Sequence, residues 1–143
     1  DDFVPLSKEL EHLQNFTKLS ELQIKGRGTV EFDSSAINFG YQIAPLILSV
    51  FLENAFKHSS ASQGAGIHIE VTIDMPEDGM LNFRCINSFQ KITNADRLTR
   101  GIGLQNVRKR LDLLYPNNHM LNITKTDSEY DVKLELRLNR LNK

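Results

Sequence analysis

The stretch Ile67-His68-Ile69-Glu70-Val71-Thr72-Ile73, followed by Pro76-Glu77-Asp78-Gly79 and then Met80-Leu81-Asn82-Phe83-Arg84-Cys85-Ile86, decides the fold. Ile67, Ile69, Val71 and Ile73 alternate with His68, Glu70 and Thr72. Leu81, Phe83 and Cys85 alternate in the same way. A period of two over β-branched and aromatic residues is the pattern of strands with one buried face. The Pro-Glu-Asp-Gly cluster between them is a turn signal, so the two runs predict a β-hairpin.

Working outward, residues 5 to about 24 read as a helix. Pro5 suits a first helical position, and Leu6, Leu10, Leu13 and Phe16 recur at helical spacing until Gly26 and Gly28. Thr29 to Asp33 alternates like a strand. Ile43 to about Ser60 reads as a helix, with Pro45 in its first turn. Leu46, Ile47 and Val50 form one apolar stripe, and Leu48, Leu52, Ala55 and Phe56 form another. Ser59 to Gly64 and residues 88 to 101 read as loops. Leu104 to Leu114 is helical, and Met120 to Thr126 and Tyr130 to Leu138 are two further strands. Hairpin-paired strands with few helices predict an α+β fold (an α/β sandwich) whose sheet carries its helices on one face.

Composition narrows the function. The 143 residues carry 17 Lys+Arg against 18 Asp+Glu, a net charge of -1. Such a balance argues against a general nucleic-acid binder, which needs a basic excess. No apolar run reaches the roughly 18 residues of a membrane span. The opening Asp1-Asp2-Phe3-Val4-Pro5 lacks the basic start and apolar core of a signal peptide. A single cysteine, Cys85, excludes an internal disulfide and any multi-cysteine zinc site, and fits a reducing compartment. Its place on the apolar side of a strand marks it as core. His12, His68 and His119 stand in no H-x-x-x-H pair or triad pattern, and His68 alternates to the polar side of its strand.

Three constellations could carry chemistry. In Glu53-Asn54-Ala55-Phe56-Lys57-His58, Glu53 and Lys57 are four apart, as are Asn54 and His58, so all four fall within one broad helical face. A buried Asn or Glu without partners costs on the order of 1–3 kcal/mol, which a metal, a phosphate or water would offset. The alternative is a solvated helix end with a weak surface pair. In Gly101-Ile102-Gly103-Leu104-Gln105-Asn106, two glycines leave a polar loop and open a helix, where free N–H groups make an anion site. Arg100, Arg108, Lys109 and Arg110 add positive charge. This is neither a Walker loop nor a Rossmann turn. Third, Asn87-Ser88 ends a strand, as a turn former or as a reader of a base edge.

In this order and spacing the pieces resemble a known superfamily. Leu52-Glu53-Asn54-Ala55-Phe56-Lys57-His58 resembles the N box of the ATPases that include DNA gyrase, the heat-shock chaperones, MutL and sensor histidine kinases. Gly101-Ile102-Gly103-Leu104-Gln105-Asn106-Val107-Arg108-Lys109-Arg110-Leu111 resembles its later glycine box. The variant it resembles best is the LytS/YehU-type sensor histidine kinase, whose glycine-box helix ends in a Leu-Tyr pair, as Leu114-Tyr115 does here. Val4 through Leu22 is similar to the segment preceding the ATPase domain in that group.

The resemblance implies a Bergerat-type fold, with a mixed, largely antiparallel sheet and helices on one face. Residues 1–25 would be a linker helix from the dimerisation region and 26–143 the ATPase domain. Asn54 would be the Mg²⁺ ligand and Glu53 would orient or activate the attacking group, with Lys57 and His58 facing the phosphates of ATP. Asn87 stands where the family has an Asp that accepts from the adenine amino group. Gly101, Gly103 and Leu104 would offer N–H groups to the phosphates, supported by Asn106, and residues 89 to 100 would form a lid. Charged hydrogen bonds contribute ~1.5–3 kcal/mol and neutral ones ~0.5–1.5 kcal/mol, so Asn87 implies roughly tenfold weaker nucleotide binding than an Asp would give. Phe89 occupies the place of a family glycine, which reshapes the adenine side.

The implied activity is protein histidine kinase chemistry. The γ-phosphoryl of ATP would pass to a His on the protein's own dimerisation helix and then to a response regulator, within a homodimeric parent and on the cytoplasmic side of an inner-membrane sensor. No phospho-acceptor motif occurs among these residues, so the chain reads as a catalytic fragment unable to phosphorylate itself. The altered adenine box leaves open a degenerate module that binds partners or senses nucleotide. An anti-sigma kinase is the third reading, which the likeness of residues 4 to 22 disfavours.

Overall fold

The computed structural model describes residues 3–90 and 94–141, with the side chains of 62 and 94–103 outside the description. Strand β1 (Val4–Pro5) leads into helix α1 (Leu6–Gln23). Strands β2 (Gly28–Ser34) and β3 (Tyr41–Ile43) precede helix α2 (Ser49–Ser62). The hairpin β4 (Ile67–Glu77) and β5 (Met80–Ser88) follows, then helix α3 (Asn94–Leu114) and strands β6 (His119–Lys125), β7 (Glu129–Arg137) and β8 (Asn139–Arg140).

The expected hairpin is the centre of a five-stranded sheet of order β2-β4-β5-β7-β6. β2 runs parallel to β4, and every other neighbour is antiparallel, so the sheet is mixed and largely antiparallel as expected. The turn is tighter than the four residues expected. Glu77 pairs with Met80, and only Asp78 and Gly79 connect the strands. Gly79 takes φ +88°, which glycine adopts without the Cβ penalty. Pro76 sits where the register shifts between Asp74 and Glu77, a bulge that tolerates its missing N–H.

The alternation places Ile67, Ile69, Val71, Ile73, Leu81, Phe83 and Cys85 on one face, all at 2% exposure or less. The helices cover that face. α2 packs on β4 and β5, and Phe51 meets Phe83 with ring centroids 5.9 Å apart. α1 shares the same core: Leu6, Leu10 and Leu13 are buried within it, and Phe16 meets Phe56 edge-on at 5.8 Å. Residues 6–23 therefore pack as part of the body formed by the rest of the chain. A second sheet, β1-β3-β8, is too short for a sequence signal, at two or three residues per strand.

Three boundaries differ from expectation. α2 starts at Ser49 rather than Ile43: Tyr41–Ile43 is strand β3, and Leu46 at φ +63° cannot continue a right-handed helix. α2 runs to Ser62, past the end expected near Ser60, so the first residues of the expected loop are helical. α3 starts at Asn94, so residues 94–101, expected as loop, are helix. Those residues lack an apolar period, so the sequence carries no helix signal there. They also hold no proline, which permits the earlier start.

Candidate functional site

Helix α2 is clamped at both ends. Before it, the segment 44–48 is held by two other helices. The buried carboxylate of Glu9 on α1 accepts the N–H groups of Leu46 at 2.9 Å and Leu48 at 3.1 Å. From α3, Arg110 Nη2 donates to the Pro45 carbonyl at 3.0 Å, and the Tyr115 hydroxyl accepts the Ala44 N–H at 2.9 Å. Burial raises the Tyr115 phenol above its ordinary value. Leu46 takes φ +63°, a left-handed conformation that costs a β-carbon-bearing residue energy and persists because these bonds fix it. At the far end, the Arg27 guanidinium donates to the carbonyls of Ser60, Gln63 and Gly64, satisfying groups a helix C-terminus leaves open.

The clamped helix presents Glu53 and Lys57 exposed and Asn54 half-buried. All three line a groove of about 310 Å³ between α1 and α2, together with Phe16, Ser20 and Gln23 of α1. Among the described residues, neither Glu53 nor Lys57 has a hydrogen bond or ion pair. A carboxylate, an amide oxygen and an ammonium thus face one cleft. The first two are hard oxygen donors of the kind magnesium takes, and the third is a cation of the kind phosphate takes.

His58 departs from that group. Successive helical residues turn by about 100°, which sets His58 about 140° from Glu53. It is 6% exposed and packs against Phe89 with the rings tilted by 44° and centroids 4.7 Å apart, and edge-on to Tyr130 at 6.0 Å. The four residues expected on one face therefore divide: Glu53, Asn54 and Lys57 towards the groove, His58 towards the sheet.

Asn87 is buried at 1% exposure where the end of β5 meets the end of α2. Its amide nitrogen donates to Ser59 Oγ at 3.2 Å and to the Ser88 carbonyl at 3.1 Å. Ser88 Oγ in turn donates to Gln63 Oε1 at 2.6 Å and accepts the His68 N–H at 2.8 Å. Sequence reading missed Ser59, Ser88 and Gln63 as partners. Phe89, 4% exposed, closes the same corner between His58 and Tyr130, with Lys125 Nζ 5.3 Å from its ring centroid.

Gly101 and Gly103 lie inside α3, about two turns from its start, rather than opening it. Their N–H groups are thus within the helix, and the anion site expected there is not formed in this conformation. Leu104 is half-buried against the core and Asn106 is exposed. The expected lid, residues 89 to 100, begins with the buried Phe89 and the exposed Gln90, has 91–93 outside the described residues, and continues as the first turns of α3.

The mixed five-stranded sheet with three helices on one face is the fold of histidine-kinase catalytic domains. The catalytic domain of the histidine kinase ThkA superimposes with a TM-score of 0.68, covering 96% of each chain at 16% identity. Full-length ShkA in complex with AMPPNP superimposes with a TM-score of 0.67, over 99% of this chain and 32% of that one, at 13% identity. In sequence, the chain is similar to the sensor protein LytS of Staphylococcus saprophyticus, 22% identical over 122 residues, or 78% of this chain. It spans about a fifth of the length of that relative, 21%. No protein-family model matches.

Proposed function

We propose that this chain is the ATP-binding catalytic domain of a LytS-type two-component sensor histidine kinase. It passes the γ-phosphoryl group of ATP to a histidine on a dimerisation helix outside this sequence, and from there to a response regulator. The observation that carries this reading is the convergence of Glu53, Asn54 and Lys57 on one groove of a helix clamped at both ends. Phosphoryl transfer depends on positioning and charge neutralisation more than on covalent help from the protein. Asn54 would hold a magnesium ion through its amide oxygen, and the ion would supply charge neutralisation at the phosphates. Lys57 faces the phosphates. Glu53 orients the incoming imidazole and takes up its proton. Asn87 offers its amide oxygen to the adenine amino group at the β5 end.

The N–H groups of Gly101, Gly103 and Leu104 reach phosphate only when the first turns of α3 unwind. Glycine is about 1 kcal/mol less favourable than alanine in a helix interior, so the glycine pair marks where that opening is cheapest. No helix among the described residues is long and apolar enough to cross a membrane. The proposed setting is the cytoplasmic side of an inner-membrane sensor, in a homodimeric parent.

A second reading, a non-catalytic module that docks partners or senses nucleotide, is favoured by one feature. Phe89 is buried between His58 and Tyr130 beside Asn87, where an adenine ring would need space. Calorimetric titration with ADP and a non-hydrolysable ATP analogue, with and without Mg²⁺, separates the two. The kinase reading expects magnesium-dependent binding of the ATP analogue, lost in Asn54→Ala. Absence of binding at millimolar nucleotide rejects it in favour of the second reading.

A further inference from the structure

The face of the sheet away from the helices carries a second cluster of ligating groups. β2 and β4 run parallel in a register that sets Thr29 beside His68 and Glu31 beside Glu70. Their alternation turns these four side chains to the same, helix-free face. One donor atom from each of Glu31, His68 and Glu70 lies within 4.8 Å of the other two.

We propose that Glu31, His68 and Glu70 bind a divalent cation of the zinc class on this open face. Three observations support the site. First, two carboxylates directly opposite on neighbouring strands repel unless a cation stands between them. Glu31 has no hydrogen bond or ion pair among the described residues. Arg84, whose guanidinium feels the Glu70 charge, is held in a two-pronged bond by Asp131 at 2.8 and 3.1 Å. Second, His68 Nε2 stands 3.5 Å from Glu70 Oε1. That is long for a charge-assisted hydrogen bond. It is close to the edge of a tetrahedron built on zinc, where ligands about 2.0–2.1 Å from the metal sit about 3.3–3.4 Å apart. Third, the other ring nitrogen, Nδ1, faces Thr29 Oγ1 at 3.4 Å. Donation from Nδ1–H to that hydroxyl leaves the Nε2 lone pair for a metal, the usual outer-shell arrangement of a ligating histidine.

The exposed Glu31 side chain closes the remaining gap by a rotamer change, and water fills the fourth position. An imidazole among the ligands favours zinc over magnesium, which keeps to oxygen. The bound ion would clasp the edge strand β2 to the sheet. The site lies across the sheet from Glu53 and Asn54 and is independent of nucleotide binding.

The test uses the whole chain, stripped of metal with a chelator and titrated with ZnCl₂, then with CoCl₂ as a visible probe. The expected result is one equivalent of zinc bound and undisturbed by millimolar Mg²⁺. The cobalt form should show the intense visible absorption of tetrahedral coordination. His68→Ala and Glu70→Gln should each weaken zinc binding at least tenfold, and Thr29→Val about tenfold, as loss of an outer-shell partner does. His119→Ala, at a second histidine paired with a carboxylate, should leave binding unchanged. Metal-free melting temperatures establish that the exposed-site variants are folded. Failure to take up zinc, or uptake that His68→Ala leaves intact, overturns the proposal.

Discussion

Glu9 on α1 accepts the backbone N–H of Leu48 immediately ahead of α2, and with its other oxygen the N–H of Leu46. One buried carboxylate thus caps the start of the helix that carries Glu53, Asn54 and Lys57, and it does so from another helix. An anion at a helix N-terminus also meets the positive end of the helix dipole. Glu9→Gln keeps the size but turns a donor towards an N–H. The expected cost is about 1–3 kcal/mol, seen as a lower urea midpoint with an unchanged slope. Glu9→Asp, too short to reach both amides, should fall between Gln and wild type.

The central hairpin and the hydrophobic stripes of α1 and α2 were legible because burial on one face writes itself into the sequence as a period. Ile67 to Ile73 and Leu81 to Cys85 read correctly for that reason. The start of α3 was not legible, because residues 94–101 show no apolar period in the sequence. The division of His58 from Lys57 was also hidden. Helical spacing places both near one face, and only the sheet packed beneath decides which side is buried. Glu9 lies in the first turn of α1, and nothing local in the sequence shows that its partners are 37 and 39 residues away.

The glycines inside α3 give a second expectation. If nucleotide binding requires the first turns of α3 to open, stiffening the helix opposes it. Gly101→Ala and Gly103→Ala should each stabilise the free protein by up to about 1 kcal/mol. Each should weaken binding of a non-hydrolysable ATP analogue about fivefold, the same energy expressed as affinity. Thermal melting and calorimetry on the same samples check both signs. Stabilisation with unchanged affinity would show that the helix stays closed over bound nucleotide.

Across the sheet, Arg84 donates twice to Asp131, and that bond holds the Asp131 carboxyl below the usual carboxylate range. A depressed folded-state value means the pair stabilises the fold fully above the unfolded-state value, about 3.9, and loses that contribution as pH falls through the lower folded value. Both side chains are partly exposed, so the effect is screened to about 0.5–1 kcal/mol. Asp131→Asn should lower the urea midpoint by a constant amount above about pH 5, with the gap closing below pH 4. A gap that persists into strong acid would assign the effect to packing instead.

Phe89 decides how the adenine side is used. Its ring packs against His58 and meets Tyr130, and Lys125 Nζ lies above it. Deleting the ring removes buried apolar contact, and Phe→Ala changes cost about 3–5 kcal/mol in a closed core. At this corner, beside the hydrogen-bonded Asn87, the space released adjoins polar groups and can be filled by a ligand. Phe89→Ala should therefore lower the melting temperature of the free chain. If the ring stands in the adenine space, ADP should recover more of that loss in the variant than it adds to wild type, because a ligand stabilises by its own affinity. If Phe89 instead forms one wall of a competent pocket, the variant should lose nucleotide affinity together with stability. A series of melting curves at rising ADP separates the two outcomes, since the first steepens the dependence on ligand concentration and the second flattens it.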